Sequence, residues 1–87
     1  MSNNDKRYSK HLLGKTIVSK TGKKFGDLGN IHFETKTGEL LQLELKSPTS
    51  LASNLDLERT DEGRLLIPFS AVIAIGDFIV VAEEDII

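Results

Sequence analysis

The stretch Leu65–Val81, reading LLIPFSAVIAIGDFIVV, is the densest apolar run of this chain, and its punctuation limits what it can become. Two β-rich pieces, Leu65–Phe69 and Val72–Val81, flank a Pro-Phe-Ser-Ala corner, and Gly76-Asp77 divides the second piece into a short hairpin. Proline has no amide to donate and a fixed φ, so Pro68 marks where a strand stops pairing and the chain turns. Every residue of Val72–Ile75 and Phe78–Val81 is apolar, so both faces of the hairpin need cover. A domain of 87 residues hides only about 60–65% of its unfolded surface and has little core to spare. Its core covers one face; the other is expected to meet the N-terminal segment, the loop Ser47–Asn54 or a second polypeptide. Ile73, Ile75, Phe78 and Val80 are the candidate contact residues.

The rest of the chain reads as short strands joined by turns. Residues 1–11 are polar and locally basic, a flexible arm; 12–82 form the domain, and 83–87 an acidic tail that ends in two isoleucines. Such a tail either tucks onto the domain or presents a short linear motif. Thr16–Ser19 is a β-branched strand, and Lys20-Thr21-Gly22-Lys23 a turn. From Phe25 to Glu34 strict alternation fails between Leu28 and Ile31, which predicts a bulge or sharp bend near Gly26 or Gly29. After the turn Thr35–Gly38 comes the most regular strand, with Leu41, Leu43 and Leu45 on one face and Gln42, Glu44 and Lys46 on a solvated one. Ser47–Asn54 reads as a loop with at most one helical turn. Leu55 and Leu57 alternate with Asp56 and Glu58 in a short strand that turns at Thr60–Gly63. Five or six short strands without a long helix predict an all-β fold, a small barrel.

Few groups are available for chemistry. Cysteine is absent, which removes disulfides, thiolate nucleophiles and cysteine-ligated metals. His11 sits at the end of the arm and His32 on the polar side of a strand, and the serines lack GxSxG or SxxK spacing. Gly26-Asp27-Leu28-Gly29 matches a KH-type GxxG loop but lies inside a strand pattern. The carboxylates of Glu34, Glu44, Asp56, Glu58, Asp61 and Glu62 fall at outward or turn positions. No catalytic residue, cofactor or metal site is therefore expected. Eleven basic against 13 acidic side chains give a net charge of −2 without segregation of sign, so nucleic acid is not an expected partner. No apolar run approaches a membrane span of ~20 residues, and the N-terminus lacks the apolar core of a signal peptide, so a cytoplasmic protein without direct membrane insertion is expected.

The ordered set Gly14-Lys15, Gly22, Gly26-x-x-Gly29, Gly38 and Ile67-Pro68-Phe69-Ser70-Ala71-Val72 leading to Ile75-Gly76-Asp77 resembles the PRC-barrel family. That small β-barrel is shared by the cytoplasmic part of the photosynthetic reaction centre H subunit and the C-terminal part of a ribosome maturation factor. The chain is most similar to the stand-alone archaeal type, some members of which resemble cell-division proteins that bind a membrane-anchoring division partner. The resemblance implies no catalytic residues. Together with the two-faced apolar hairpin Val72–Val81 on a chain without catalytic groups, it points to a non-enzymatic adaptor, homodimeric and bound to another protein, in an archaeal division assembly. The alternative is an RNA- or ribosome-associated factor, using Lys6, Arg7, Lys10, Lys15, Lys20, Lys23 and Lys24 as a basic end.

Overall fold

In the computed structural model, which describes residues 11–86, the β-branched and leucine-rich segments pair into one sheet. Its strands are β1 (Thr16–Ser19), β2 (Lys24–Phe33), β3 (Leu40–Lys46), β4 (Glu58–Arg59), β5 (Leu65–Pro68), β6 (Val72–Ile75) and β7 (Phe78–Val81). They lie in the order β4-β5-β3-β2-β1-β7-β6. All neighbours are antiparallel except β1 and β7, which run parallel and set the first strand beside the last. The all-β class expected from the sequence is the class observed, with seven strands among the described residues. The hydrogen-bonded ladder does not close into a barrel: it ends at β4 on one side and β6 on the other. The sheet is nevertheless bent, because Ile17, Phe25, Leu28, Leu43, Ile67, Ile79 and Val81 all lie fully buried in a single core cluster.

The bend is made where the alternation fails. Strand β2 pairs with β1 through Lys24–Asp27 and with β3 through Asp27–Phe33, so it must turn from one partner to the other. Its register skips Phe25 opposite β1 and Gly29 opposite β3, so both expected bulge positions are used. Gly26, at φ +152°, brings its backbone against the β3 exit: a Cβ there would stand 3.1 Å from Pro48 Cα and 3.2 Å from the Lys46 carbonyl oxygen. Thr49 then caps the single helical turn α1 (Ser50–Asn54), its Oγ1 donating to the Lys24 carbonyl (2.7 Å) while accepting the Ala52 amide (3.3 Å). Ala52 is buried against the core beneath it.

Three expectations need correction. The strand through Leu55 and Leu57 is only β4, because the Leu55 amide is occupied by the Ala52 carbonyl as the helix ends (3.2 Å); Leu57 still enters the core, without a ladder. Leu41 does not share the core face with Leu43 and Leu45. The register jumps from His32↔Gln42 to Phe33↔Leu40, so Leu41 is the extra residue and is exposed, while Leu40 packs against the core in its place. Glu44, expected on a solvated face, is buried at 6% exposure. Of the tail, Glu83–Asp85 form a 3₁₀ turn held by the Lys20–Glu84 ion pair (2.7 Å), and Ile86 tucks into the core. Apart from His11, the arm at residues 1–11 lies outside the described residues; His11 is exposed.

Candidate functional site

The parallel register decides which side chains of the C-terminal hairpin face outward. Thr16↔Phe78, Ile17↔Ile79, Val18↔Val80 and Ser19↔Val81 are paired, and the buried members are Ile17, Ile79, Ser19 and Val81. Directly paired residues share a face, so Thr16, Val18, Phe78 and Val80 stand together on the outside. Strand β6 extends that face with Ala74, opposite Val80, whereas Val72 and Ile75 pair with the inward residues Val81 and Ile79. Ile73 is the extra residue of a bulge. Exposure follows: Phe78 is 54% exposed, Ile73 52%, and Ile75 46% despite its inward parity, because no strand lies beyond β6 among the described residues. Val80 is half-buried.

Thus, of the four candidate contact residues, Phe78 and Val80 share one face, Ile73 is solvent-facing at the bulge, and Ile75 opens onto the sheet edge. Thr16, Val18 and Ala74 join them. Alternation within Thr16–Ser19 places Thr16 and Val18 together, but nothing local says that β1 lies beside β7. A shallow groove of about 410 Å³ runs over this surface, lined by Thr16, Val18, Gly22, Lys24 and Phe78. Charge flanks this surface at the Gly76-Asp77 turn and at β2, where Asp27 and Lys24 are paired with Thr16 and Val18, and Thr16 Oγ1 donates to Asp27 Oδ1 (3.2 Å).

The outer face of the other half of the sheet is polar and internally satisfied. Register places Asn30 opposite Glu44, His32 opposite Gln42, and Glu44 and Glu58 on either side of Leu66. His32 Nε2 lies 2.9 Å from Glu44 Oε1, Arg64 Nη1 donates to Glu44 Oε2 (3.1 Å), and Gln42 Nε2 donates to Glu58 Oε1 (2.7 Å). The hydrogen bond from His32, then the bond and charge of Arg64, hold the Glu44 carboxyl below its ordinary value against the opposing effect of burial. An ionised carboxylate only accepts, so Nε2 carries the proton in the His32 contact. Leu66 is buried between these groups, outside the main core cluster.

A cleft of about 580 Å³ opens here, lined by Asn30, His32, Glu44, Thr60, Asp61, Glu62 and Arg64. Both Glu44 oxygens are engaged and the Thr60 hydroxyl accepts the Arg64 amide (3.1 Å). Sequence reasoning placed His32 and Glu44 on one face but missed their coupling, since Arg64 arrives from a turn 20 residues away. Among the described residues no three His, Asp or Glu side chains gather as a metal-binding set. Of the basic end, Lys15 Nζ donates to the Gly76 carbonyl (2.7 Å), Lys20 and Lys23 pair with Glu84 and Glu83, and Lys24 borders the groove. Lys6, Arg7 and Lys10 lie outside the described residues.

The bent sheet with one core and an uncovered apolar outer face defines a small all-β domain. The chain matches the PRC-barrel domain family over residues 4–85, and it belongs to that family. It is also similar to the uncharacterized protein MJ1118 of Methanocaldococcus jannaschii, with 29% identity over 82 residues that cover 94% of this chain and 88% of that protein. Among the described residues no helix is long and apolar enough to cross a membrane.

Proposed function

We propose that this protein is a non-enzymatic interaction module that associates with itself and links other proteins through its C-terminal hairpin. The observation that carries the reading is the outward apolar surface of exposed Ile73, Ala74 and Phe78, continued by half-buried Val80 and Val18. Exposed apolar sheet of this kind marks an association surface. Membership of the PRC-barrel family supports an interaction module; a cytoplasmic adaptor in an archaeal division assembly, with a membrane-anchoring division protein as the second partner, is the setting proposed for it. Within the cleft, Glu44 is the centre of a clasp between strands, held by His32 and Arg64.

Sedimentation of the purified chain at micromolar to submillimolar concentration tests self-association, and capture from archaeal extract tests the second partner. Phe78→Glu, at a half-exposed position, is expected to leave the fold within about 0.5 kcal/mol of wild type and to abolish capture of that partner. A chain that stays monomeric throughout the range removes the self-association reading. The RNA-associated alternative is disfavoured by the ion pairs of Lys20 and Lys23 with the acidic tail. RNA affinity that falls steeply between low and moderate salt would reinstate it.

A further inference from the structure

We infer that residues 4–10 dock on the chain's own outer apolar face, with Tyr8 against Phe78, so that a partner reaches the face by displacing them. This rests on the reading of the face as an interaction surface, and it says how access is governed. The chain enters β1 at the right place. The Gly14 amide donates to the Leu28 carbonyl (2.8 Å) on one side, and Lys15 Nζ to the Gly76 carbonyl (2.7 Å) on the other. Gly14 and Lys15 therefore sit between β2 and the β6–β7 turn, at the end of the face where Thr16 is paired with Phe78. Leu12 is buried in the core but His11 is exposed, so the backbone comes to the surface as it is followed back toward residue 10. Seven extended residues span up to about 23 Å, whereas Thr16 and Val18 are about 7 Å apart along β1, so reach does not limit the contact.

Charge gives the contact a direction. Asp27 and Asp77 stand at the end where the chain enters, beside Thr16 and Phe78, and Lys24 stands at the far end, beside Val18. None of the three takes part in an ion pair among the described residues. Followed back from the same end, the segment presents Lys10, Arg7 and Lys6 first and its one carboxylate, Asp5, after them. Laid back along β1, it sets cations beside Asp27 and Asp77 and carries Asp5 toward Lys24. Tyr8 falls between, where the shallow groove at Val18 and Phe78 gives it an aromatic neighbour. The aliphatic stems of the lysines and arginine add cover. The family match supports treating the segment as part of the unit, since it begins at residue 4, well before the first core side chain, Leu12. The cleft at Glu44 is also acidic, but it is lined by polar side chains alone and offers Tyr8 no apolar seat.

A single aromatic anchor makes a weak cover, because ordering the segment offsets much of what the contact gains. A partner that brings more apolar surface displaces it, and the face is closed to weaker ones.

Tyr8 is the chain's one tyrosine and tryptophan is absent, so tyrosine emission reports on this segment alone. Acrylamide quenching of that emission, in the full chain at a concentration that sedimentation shows to be monomeric, tests the contact. Quenching about half as steep as that of free N-acetyltyrosinamide is expected for a docked ring. Phe78→Glu and the charge reversal Asp77→Lys, both at exposed positions, should each restore steep quenching while circular dichroism stays that of wild type. Wild-type quenching as steep as the free amide's, or shallow quenching that survives Phe78→Glu, overturns the docking and leaves the face as an association surface. Shallow quenching lost only when Asp61→Asn and Glu62→Gln are combined puts the segment in the cleft and overturns it equally. Protection that grows with protein concentration puts the segment of one copy on another, which overturns the internal cover while self-association stands. A chain that is monomeric throughout, with Tyr8 protected until Phe78→Glu, upholds the cover and removes self-association.

Discussion

Gly26 is the hinge of the sheet, and Gly26→Ala measures how much that bend is worth. The added methyl meets two obstacles. At φ +152° the backbone lies where side chains other than glycine's are strained, at a cost of about 1–3 kcal/mol. Its Cβ would also stand 3.1 Å from Pro48 Cα, 3.2 Å from the Lys46 oxygen and 3.3 Å from the Ser47 oxygen, all of them backbone. Those atoms yield only if the β3 exit moves, an overpacking cost of ~1–3 kcal/mol. Alanine stiffens the unfolded chain and recovers ~0.4–1 kcal/mol. The net loss is about 3 kcal/mol. With unfolding entropy of roughly 2.1 cal/mol/K per residue over 87 residues, that is a fall in Tm of about 16 °C. Gly38→Ala is the control: φ is +75° there and nothing lies within 4 Å, so only the left-handed backbone cost of ~1 kcal/mol applies. Thermal melts by circular dichroism, at one concentration because the chain is proposed to self-associate, read both. Equal shifts in the two variants would refute crowding at the bend. A Gly26→Ala melt within about 3 °C of wild type would refute the whole account of the hinge.

Other expectations bear on the two halves of the sheet. Ile79→Ala, at a fully buried position of β7, should cost ~2–5 kcal/mol by chemical denaturation, whereas Phe78→Ala next to it should cost far less; equal losses would contradict the assigned faces. The Glu44 carboxyl is held below its ordinary value in the folded chain, chiefly by His32. Its stabilisation is therefore complete above the unfolded glutamate value and fades as pH drops through the lower folded one. Glu44→Gln should be destabilised at neutral pH and approach wild type in acid, and parallel stability curves across that window would contradict the clasp. Arg64→Ala should shrink the same pH dependence, since it removes one of the two partners of Glu44.

The local chemistry of the chain is legible in its letters. Glycine turns, β-branched segments and the proline at 68 mark where strands begin and end, and the broken alternation between Leu28 and Ile31 announces a bend that the structure makes with two bulges. These are short-range consequences of backbone freedom and side-chain parity. The partners of each strand are another matter. That β1 lies parallel to β7, so that Thr16 and Val18 complete the apolar face of Phe78 and Val80, depends on which arrangement buries most apolar surface over the whole sheet. The same holds for Glu44, whose outward parity was readable while its burial under His32 and Arg64 was not. Parity is a property of one strand, but exposure is set by whatever the rest of the chain lays across it.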